Sequence, residues 1–195
     1  MQNLESHIPK ASHAYVKNLI DCKDLKCLVS PKRKTKHGDF RVISPTRFQI
    51  SVNANLNTFR FLITLIHEYA HYLCYKKYGS NAKPHGLEWK LCFQKLMLPL
   101  LHPDVFPKEI LMPLANHLQN PKATTDRDTY LTKILKSYDS TPSENLLDDL
   151  AEDSLFEFNN EIYRKLQLRR TRILSERLKD GRRFTFSPNA EIKPL

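Results

Sequence analysis

NTFRFLITLIHEYAHYLCYKKYG, residues 57–79, is the stretch that decides the fold. Its apolar residues recur at steps of three and four, which predicts one long amphipathic helix with a narrow apolar stripe. Asn57 or Thr58 supplies an N-cap, and Gly79 ends the helix. The stripe consists of Phe59, Leu62, Ile63, Ile66, Ala70 and Leu73.

Within this helix the residues HEYAH match the pattern H-E-x-x-H. His67 and His71 are four residues apart and project from the same side, so both imidazoles can reach one ion at ~2.0–2.1 Å. Glu68 is displaced by one residue, which suits a general base acting on a metal-bound water. The pattern alone also fits two solvent-facing histidines beside a charged neighbour.

A catalytic zinc needs three protein ligands and an open position. His85 precedes Gly86 at the start of a second apolar helix, predicted over residues 86–98, and is the leading third ligand. Glu88 lies three residues further on the same helical side, and spacing alone does not decide between the imidazole and the carboxylate. His102 and His117 are more distant candidates.

The flanking segments predict an α+β protein. Residues 12–24 form a short amphipathic helix, and residues 39–44 and 47–53 form strands, the second with the alternation of a half-buried strand that could bind an extended peptide. Prolines divide residues 99–121 into short helical pieces, and residues 128–138 form one more helix. Strand patterns return at residues 154–158, 161–168, 171–177 and 183–187.

The composition favours some classes of function and cellular setting over others. The chain of 195 residues carries 31 Lys and Arg against 21 Asp and Glu, a net charge of +10 that favours a polyanionic partner. The four cysteines form no C-x-x-C pair, so we expect a cytoplasmic setting without a disulfide framework. We recognise neither a secretory signal nor an apolar run long enough to span a membrane.

The residues HEYAH followed by PHGLEWK (84–90) resemble the SprT-like metalloproteases, which include Spartan. The resemblance spans residues 8 to about 120. It implies that one Zn²⁺ per chain is bound by His67, His71 and His85, with Glu68 as the catalytic base. It also implies a minimal zincin-like domain of helices packed on a small antiparallel sheet. Trp89 falls on the family's aromatic position, where packing that fixes the His85 turn is its expected role.

We therefore expect three parts: a SprT-like zincin metalloprotease domain over 1–120, a helical and acidic connector over 121–153, and a small basic β module over 154–195. Many relatives add a zinc ribbon, and the last part resembles one without cysteines. Nucleic-acid contacts are expected there and in the basic turn near residue 34, with Tyr163, Phe184 and Phe186 available for base stacking. The expected contact residues are Lys32, Arg33, Lys34, Lys36, Arg169, Arg170, Arg172, Arg182 and Arg183.

The function expected from the sequence is a zinc-dependent metalloendopeptidase that acts on DNA-associated or DNA-crosslinked proteins. Its partners are a protein substrate and DNA, with single strands favoured, and no membrane; association with the nucleoid follows from a DNA partner. The alternative is a DNA-binding module in which the metal is only structural. Arg60, Tyr75 and Tyr78 are equal candidates for stabilising the oxyanion.

Overall fold

The computed structural model describes residues 4–33, 35–139 and 145–195, and its contacts divide the chain into two compact units between Asp139 and Ser140. Helices and sheets occur in separate segments, so the α+β class is confirmed. No helix among the described residues is long and apolar enough to cross a membrane.

The first unit contains five α-helices within its described residues, and the longest carries the HEYAH motif. Asn57 caps that helix by accepting a hydrogen bond from the Arg60 backbone N–H at 3.0 Å, and Gly79 ends it with φ of 63°. The helices are α1 (His13–Ile20), α2 (Thr58–Tyr78), α3 (Leu87–Met97), α4 (Lys108–Gln119) and α5 (Thr129–Lys136).

The first unit's sheet is mixed, which corrects the expectation of an antiparallel sheet. Its strands are β1 (Leu25–Ser30), β2 (Gly38–Ser44) and β3 (Arg47–Asn53), in the order β1-β3-β2. A tight turn makes β2 and β3 antiparallel, while β1 runs parallel to β3. The chain leaves β1 and enters β2 at the same end of the sheet, crossing the end of β3, and this crossing fixes the parallel direction.

Helix α2 lies between this sheet and α3, so it is buried on more than the one predicted face. Leu62, Ile66 and Ala70 of the stripe are at most 1% exposed, but Phe61 and Leu65 outside the stripe are equally buried. Because layers cover α2 on two sides, packing fixes the position of the helix.

The segment after α3 departs from the predicted short pieces. Helix α4 runs for 12 residues and contains Pro113, because the fully buried Ile110 and Leu114 hold both halves of the helix against the core. Helix α5 packs on α4, which places it in the first unit, whereas Leu147, expected in an acidic connector, is fully buried in the core of the second unit.

The second unit is a sheet of five strands in the order β7-β6-β5-β4-β8. The strands are β4 (Leu155–Phe158), β5 (Glu161–Arg169), β6 (Arg172–Arg177), β7 (Arg183–Phe186) and β8 (Lys193–Pro194). Tyr163 and Phe186 pack on Phe156 with ring centroids 5.5 and 5.6 Å away. These rings form the unit's core, so Tyr163 and Phe186 do not offer the base-stacking surface expected from the sequence.

Candidate metal centre

Three histidine side chains converge beside α2. The Nε2 atoms of His67 and His71 are 3.2 Å apart, and the Nε2 atom of His85 lies 3.1 Å from the first and 3.0 Å from the second. Among the described residues this is the one cluster of three or more potential ligand side chains close enough to hold a metal ion. Glu88, the rival third ligand, is not part of it.

The local backbone explains how the third histidine reaches the other two. His67 and His71 are one helical turn apart on α2, while His85 has φ of 58°, in the left-handed region that few residues other than glycine adopt. The turn is closed by the Gly86 backbone N–H, which donates to the Lys83 carbonyl at 2.8 Å. A β-carbon at Gly86 would lie 2.9 Å from that carbonyl oxygen, so the turn needs glycine there.

Trp89 packs against the rings of all three histidines. Its side chain is fully buried, and its ring centroid lies 4.6, 5.2 and 4.7 Å from those of His67, His71 and His85. The indole N–H also donates to the His67 carbonyl at 3.4 Å. The indole therefore restricts all three imidazoles, as expected from the sequence.

The surroundings keep the three imidazoles neutral. Burial, followed by the neighbouring His71 and His85, lowers the pKa of His67 well below its usual value, and burial with His85 lowers the pKa of His71 to about 4. Burial and then the charge of Arg127 lower the pKa of His85. Neutral imidazole nitrogens are metal ligands, whereas protonated ones are not.

The geometry and the donor set fit a zinc ion. Nitrogens bound tetrahedrally at ~2.0–2.1 Å stand about 3.3 Å apart, and the three Nε2 atoms stand 3.0–3.2 Å apart. Three imidazoles without a thiolate are a donor set found in catalytic zinc sites, where a fourth position stays open.

The Glu68 carboxylate lies against the start of β2 and lines the same cavity as His67. Glu68 is 8% exposed. Its burial, together with the negative charge of Asp39, raises the pKa of its carboxyl group to about 8. The backbone N–H of Phe40 donates to its carboxylate and acts in the opposite direction. A β-carbon at Gly38 would lie 2.6 Å from Glu68 Oε1, so the carboxylate occupies the space that the glycine leaves.

A cavity of about 430 Å³ opens beside His67 and Glu68. The segment before β2 and residues 123–126 also line it, and these include His37 and Asp126. Sequence reasoning missed both residues, because nothing in the local pattern links positions so distant in the chain. The remaining lining residues are Thr35, Lys36, Gly38, Thr64, Ala123, Thr124 and Thr125.

Other candidates named from the sequence lie elsewhere. His102 is exposed and pairs with Asp104, and the buried His117 Nδ1 lies 3.2 Å from the Asp128 carboxylate. Arg60, considered for the oxyanion, is paired with Asp126 instead. Tyr75 packs on Phe40 and Phe48 at the sheet, and Tyr78 lies under Lys77.

The basic residues predicted to contact nucleic acid differ in their exposure and in the groups with which they pair. The Arg33 guanidinium donates to Asn53 Oδ1 at 2.7 Å and to Ser51 Oγ at 2.9 Å, so it braces the crossing over β3. Lys36 pairs with Asp39, and Arg172 donates to Thr185. Arg182 lies 3.3 Å from Asp180, and Arg183 lies 3.8 Å from Glu176. Lys32, Arg169 and Arg170 are exposed, and Lys34 lies outside the described residues.

Taken together, an α+β unit with three convergent histidines on an H-E-x-x-H helix and the following turn defines a protein of metal-dependent hydrolase type. The model of the SprT-like family matches residues 5–105, 101 of the 195 residues, and the chain belongs to that family. Membership indicates a metalloprotease-type function and dependence on a metal. Comparisons with curated proteins and with solved structures found no match.

Proposed function

We propose that this protein is a zinc-dependent endopeptidase that cleaves proteins bound or crosslinked to DNA. The observation that carries the proposal is the convergence of three neutral imidazoles, with Nε2 atoms 3.0–3.2 Å apart, next to the buried carboxylate of Glu68. Membership in the SprT-like family supports the same chemistry.

His67, His71 and His85 would hold the zinc ion. Bound there, Zn²⁺ supplies a Lewis acid that polarises the scissile carbonyl and lowers the pKa of a bound water toward ~7. The carboxylate of Glu68 accepts a proton from the attacking water and passes it to the departing amine nitrogen. Burial raises the pKa of Glu68, so its carboxylate binds the proton of the water more strongly than an exposed carboxylate would.

Strand β2 is the better candidate for holding the substrate backbone. The sequence pointed to residues 49–53, but β3 is central and its two edges are already paired with β1 and β2. Among the described strands, β2 pairs with β3 alone, and its first residue, Gly38, lies against Glu68. An extended peptide added along β2 therefore passes next to the catalytic carboxylate.

The DNA part of the proposal depends on charge. The chain carries +10, and Lys32, Arg169 and Arg170 are exposed. Phosphate contacts by such residues give binding that weakens steeply with salt. We expect single-stranded DNA to be favoured and the protein to act in the cytoplasm at the nucleoid.

A DNA-binding module with a structural metal is the second candidate. Structural zinc sites usually have four protein ligands, often thiolates. The described cluster has three imidazoles and no thiolate, with an acid beside the first histidine, and this favours catalysis.

The test is cleavage of a basic DNA-binding protein by the zinc-loaded chain, with and without single-stranded DNA. We expect Glu68→Gln to abolish cleavage and to keep zinc, while the matched variant Glu88→Gln keeps both. Cleavage that needs Glu68 but ignores DNA would remove the DNA partner from the proposal. Equal activity of the wild type and Glu68→Gln would refute the mechanism.

A further inference from the structure

The cavity that His67 and Glu68 line also carries a second group of charged side chains. His37 Nε2 lies 2.8 Å from Asp126 Oδ2, and the other oxygen of that carboxylate accepts a hydrogen bond from Arg60. Arg60 belongs to α2, so the pair is fastened to the helix that carries the candidate metal ligands. His37 and Asp126 both line the cavity that Glu68 lines.

The carboxylate determines which nitrogen of His37 is free. Partial burial acts against ionisation of Asp126, but the hydrogen bond from His37 and the charge of Arg60 prevail and hold its pKa at about 2. His37 Nε2 faces two groups, Asp126 Oδ2 at 2.8 Å and the Arg60 guanidinium at 3.1 Å. An ionised carboxylate only accepts hydrogen bonds and a guanidinium only donates them, so the shorter contact places a hydrogen on Nε2 and Arg60 donates to the other carboxylate oxygen. No described residue is a hydrogen-bond partner of Nδ1.

The position of His37 follows from its neighbour in sequence. Gly38 lies against the Glu68 carboxylate, and the His37 carbonyl is fixed by the Asn53 backbone N–H at 2.9 Å. The His37 side chain is 36% exposed, so it can meet a substrate in the cavity. The backbone of this residue is therefore rigid, and its ring faces the space in which a peptide would be cleaved.

We propose that His37 is a catalytic residue that hydrogen-bonds the scissile carbonyl oxygen as that oxygen becomes negative, and that Asp126 is its positioning residue. This inference rests on the proposed function. When the ring takes up a proton from solvent at Nδ1, the Nδ1–H donates to the oxygen. The Asp126 carboxylate balances the imidazolium charge, while Arg60 pairs with the other carboxylate oxygen. No bond to His37 forms or breaks: the oxygen regains its double bond when the C–N bond breaks, and the amine takes its proton from Glu68.

The proposal makes the segment around Asp126 part of the active site. The family match ends at residue 105, so Asp126 and its neighbours add to the site from outside the matched region. A preorganised donor to an oxyanion typically contributes ~10²–10³-fold to kcat. Loss of a residue that only orients this donor has a smaller effect.

The experiment compares His37→Ala, His37→Gln and Asp126→Asn in the full, zinc-loaded chain. His102→Ala is the matched control, because His102 also faces an aspartate, Asp104 at 3.3 Å, but lies outside the cavity lining. We expect kcat to fall ~10²–10³-fold in both His37 variants with little change in KM, and by a smaller factor in Asp126→Asn. Zinc content and thermal stability should match the wild type in His37→Gln.

A second readout does not depend on turnover. A peptide phosphonate imitates the tetrahedral oxyanion, and calorimetry measures its affinity for each variant. We expect both His37 variants to lose affinity in proportion to their loss of kcat, while binding of the parent peptide, measured in a Glu68→Gln background, stays unchanged.

The outcomes separate the two proposals. Unchanged kcat and unchanged phosphonate affinity in the His37 variants would overturn the role of His37, and so would an equal loss of parent-peptide binding. Absence of Glu68-dependent cleavage in the wild type would instead overturn the proposed function, and phosphonate affinity would then decide the role of His37 by itself.

Discussion

Replacing Gly38 by alanine tests whether the candidate site depends on the contact between β2 and Glu68. The new β-carbon would lie 2.6 Å from Glu68 Oε1 and 2.7 Å from both Glu68 Cγ and Thr64 Cγ2. Non-bonded carbons prefer separations of ~3.5–4.0 Å, so one partner must move by about 1 Å. Thr64 is held by a hydrogen bond from its hydroxyl to the Arg60 carbonyl at 2.8 Å, so we expect Glu68 to move.

The size of the effect follows from that displacement. A misplacement of ~1 Å at a reacting group lowers the rate by about 10²-fold, and overpacking lowers the free energy of unfolding by ~1–3 kcal/mol. Each kcal/mol lowers Tm by ~2–4 °C in a protein of this size. Zinc content should not change, because the three histidines do not contact Gly38.

The matched control is Gly79→Ala. Gly79 has φ of 63°, and a β-carbon added to it would have no atom within 4 Å, so alanine there strains the backbone by ~1–2 kcal/mol without touching the site. Thermal melts, zinc content and the rate of Glu68-dependent cleavage are measured for both variants. Wild-type activity in Gly38→Ala, or an equal loss of activity in Gly79→Ala, would refute the reasoning.

Two further predictions concern the groups around the site. Trp89→Ala should lower the free energy of unfolding by ~3–5 kcal/mol and weaken zinc binding ~10–100-fold, because the indole restricts all three imidazoles. Denaturation measures the loss of stability and chelator competition measures the loss of zinc affinity. Trp89→Phe should recover part of both losses. Asp126→Asn should lower stability at pH 7 by about 1 kcal/mol, a value kept small because the aspartate side chain is 42% exposed. The folded pKa of Asp126, about 2, is below the unfolded value of ~3.9, so this contribution is present above ~pH 5 and fades as the pH falls toward 2. Urea denaturation of both proteins from pH 7 to pH 3 measures the difference, and a difference that grows on acidification would contradict the assignment.

The parts of the site that lie close together in sequence could be predicted from it. The spacing of His67, Glu68 and His71 follows from the helix period, and Asn57 and Gly79 mark the ends of α2 by their local chemistry. The position of His85 before the second helix made it a candidate, but the choice between His85 and Glu88 required the resemblance to a family. The left-handed φ of 58° that directs the imidazole back to α2 is not encoded by any periodicity.

The parts that depend on pairing between distant segments could not be predicted. Alternation in residues 47–53 correctly predicted a strand, but the expectation that it is half-buried was wrong, because Ser51 and Asn53 on its polar face are buried too. The pattern does not state which strands lie beside it, and β3 is central. Likewise, a basic and aromatic strand pattern is the same whether the rings face solvent or a core. In the second unit Tyr163 and Phe186 face the core, because a small sheet needs its large side chains to bury enough apolar area.

The contacts of α2 show how residues beyond the family match are held beside the candidate site. At its first turn, the Asn57 side-chain amide donates to the Leu135 carbonyl at 2.7 Å and to Asp139 at 2.6 Å, and Arg60 binds Asp126. These bonds fasten the segment from 126 to 139 to the same helix that presents His67 and Glu68. Helix α2 therefore positions His67 and His71 through its own period, and through Asn57 and Arg60 it also holds the segment that contributes Asp126 to the cavity. One element thus positions both the candidate metal ligands and this part of the cavity lining.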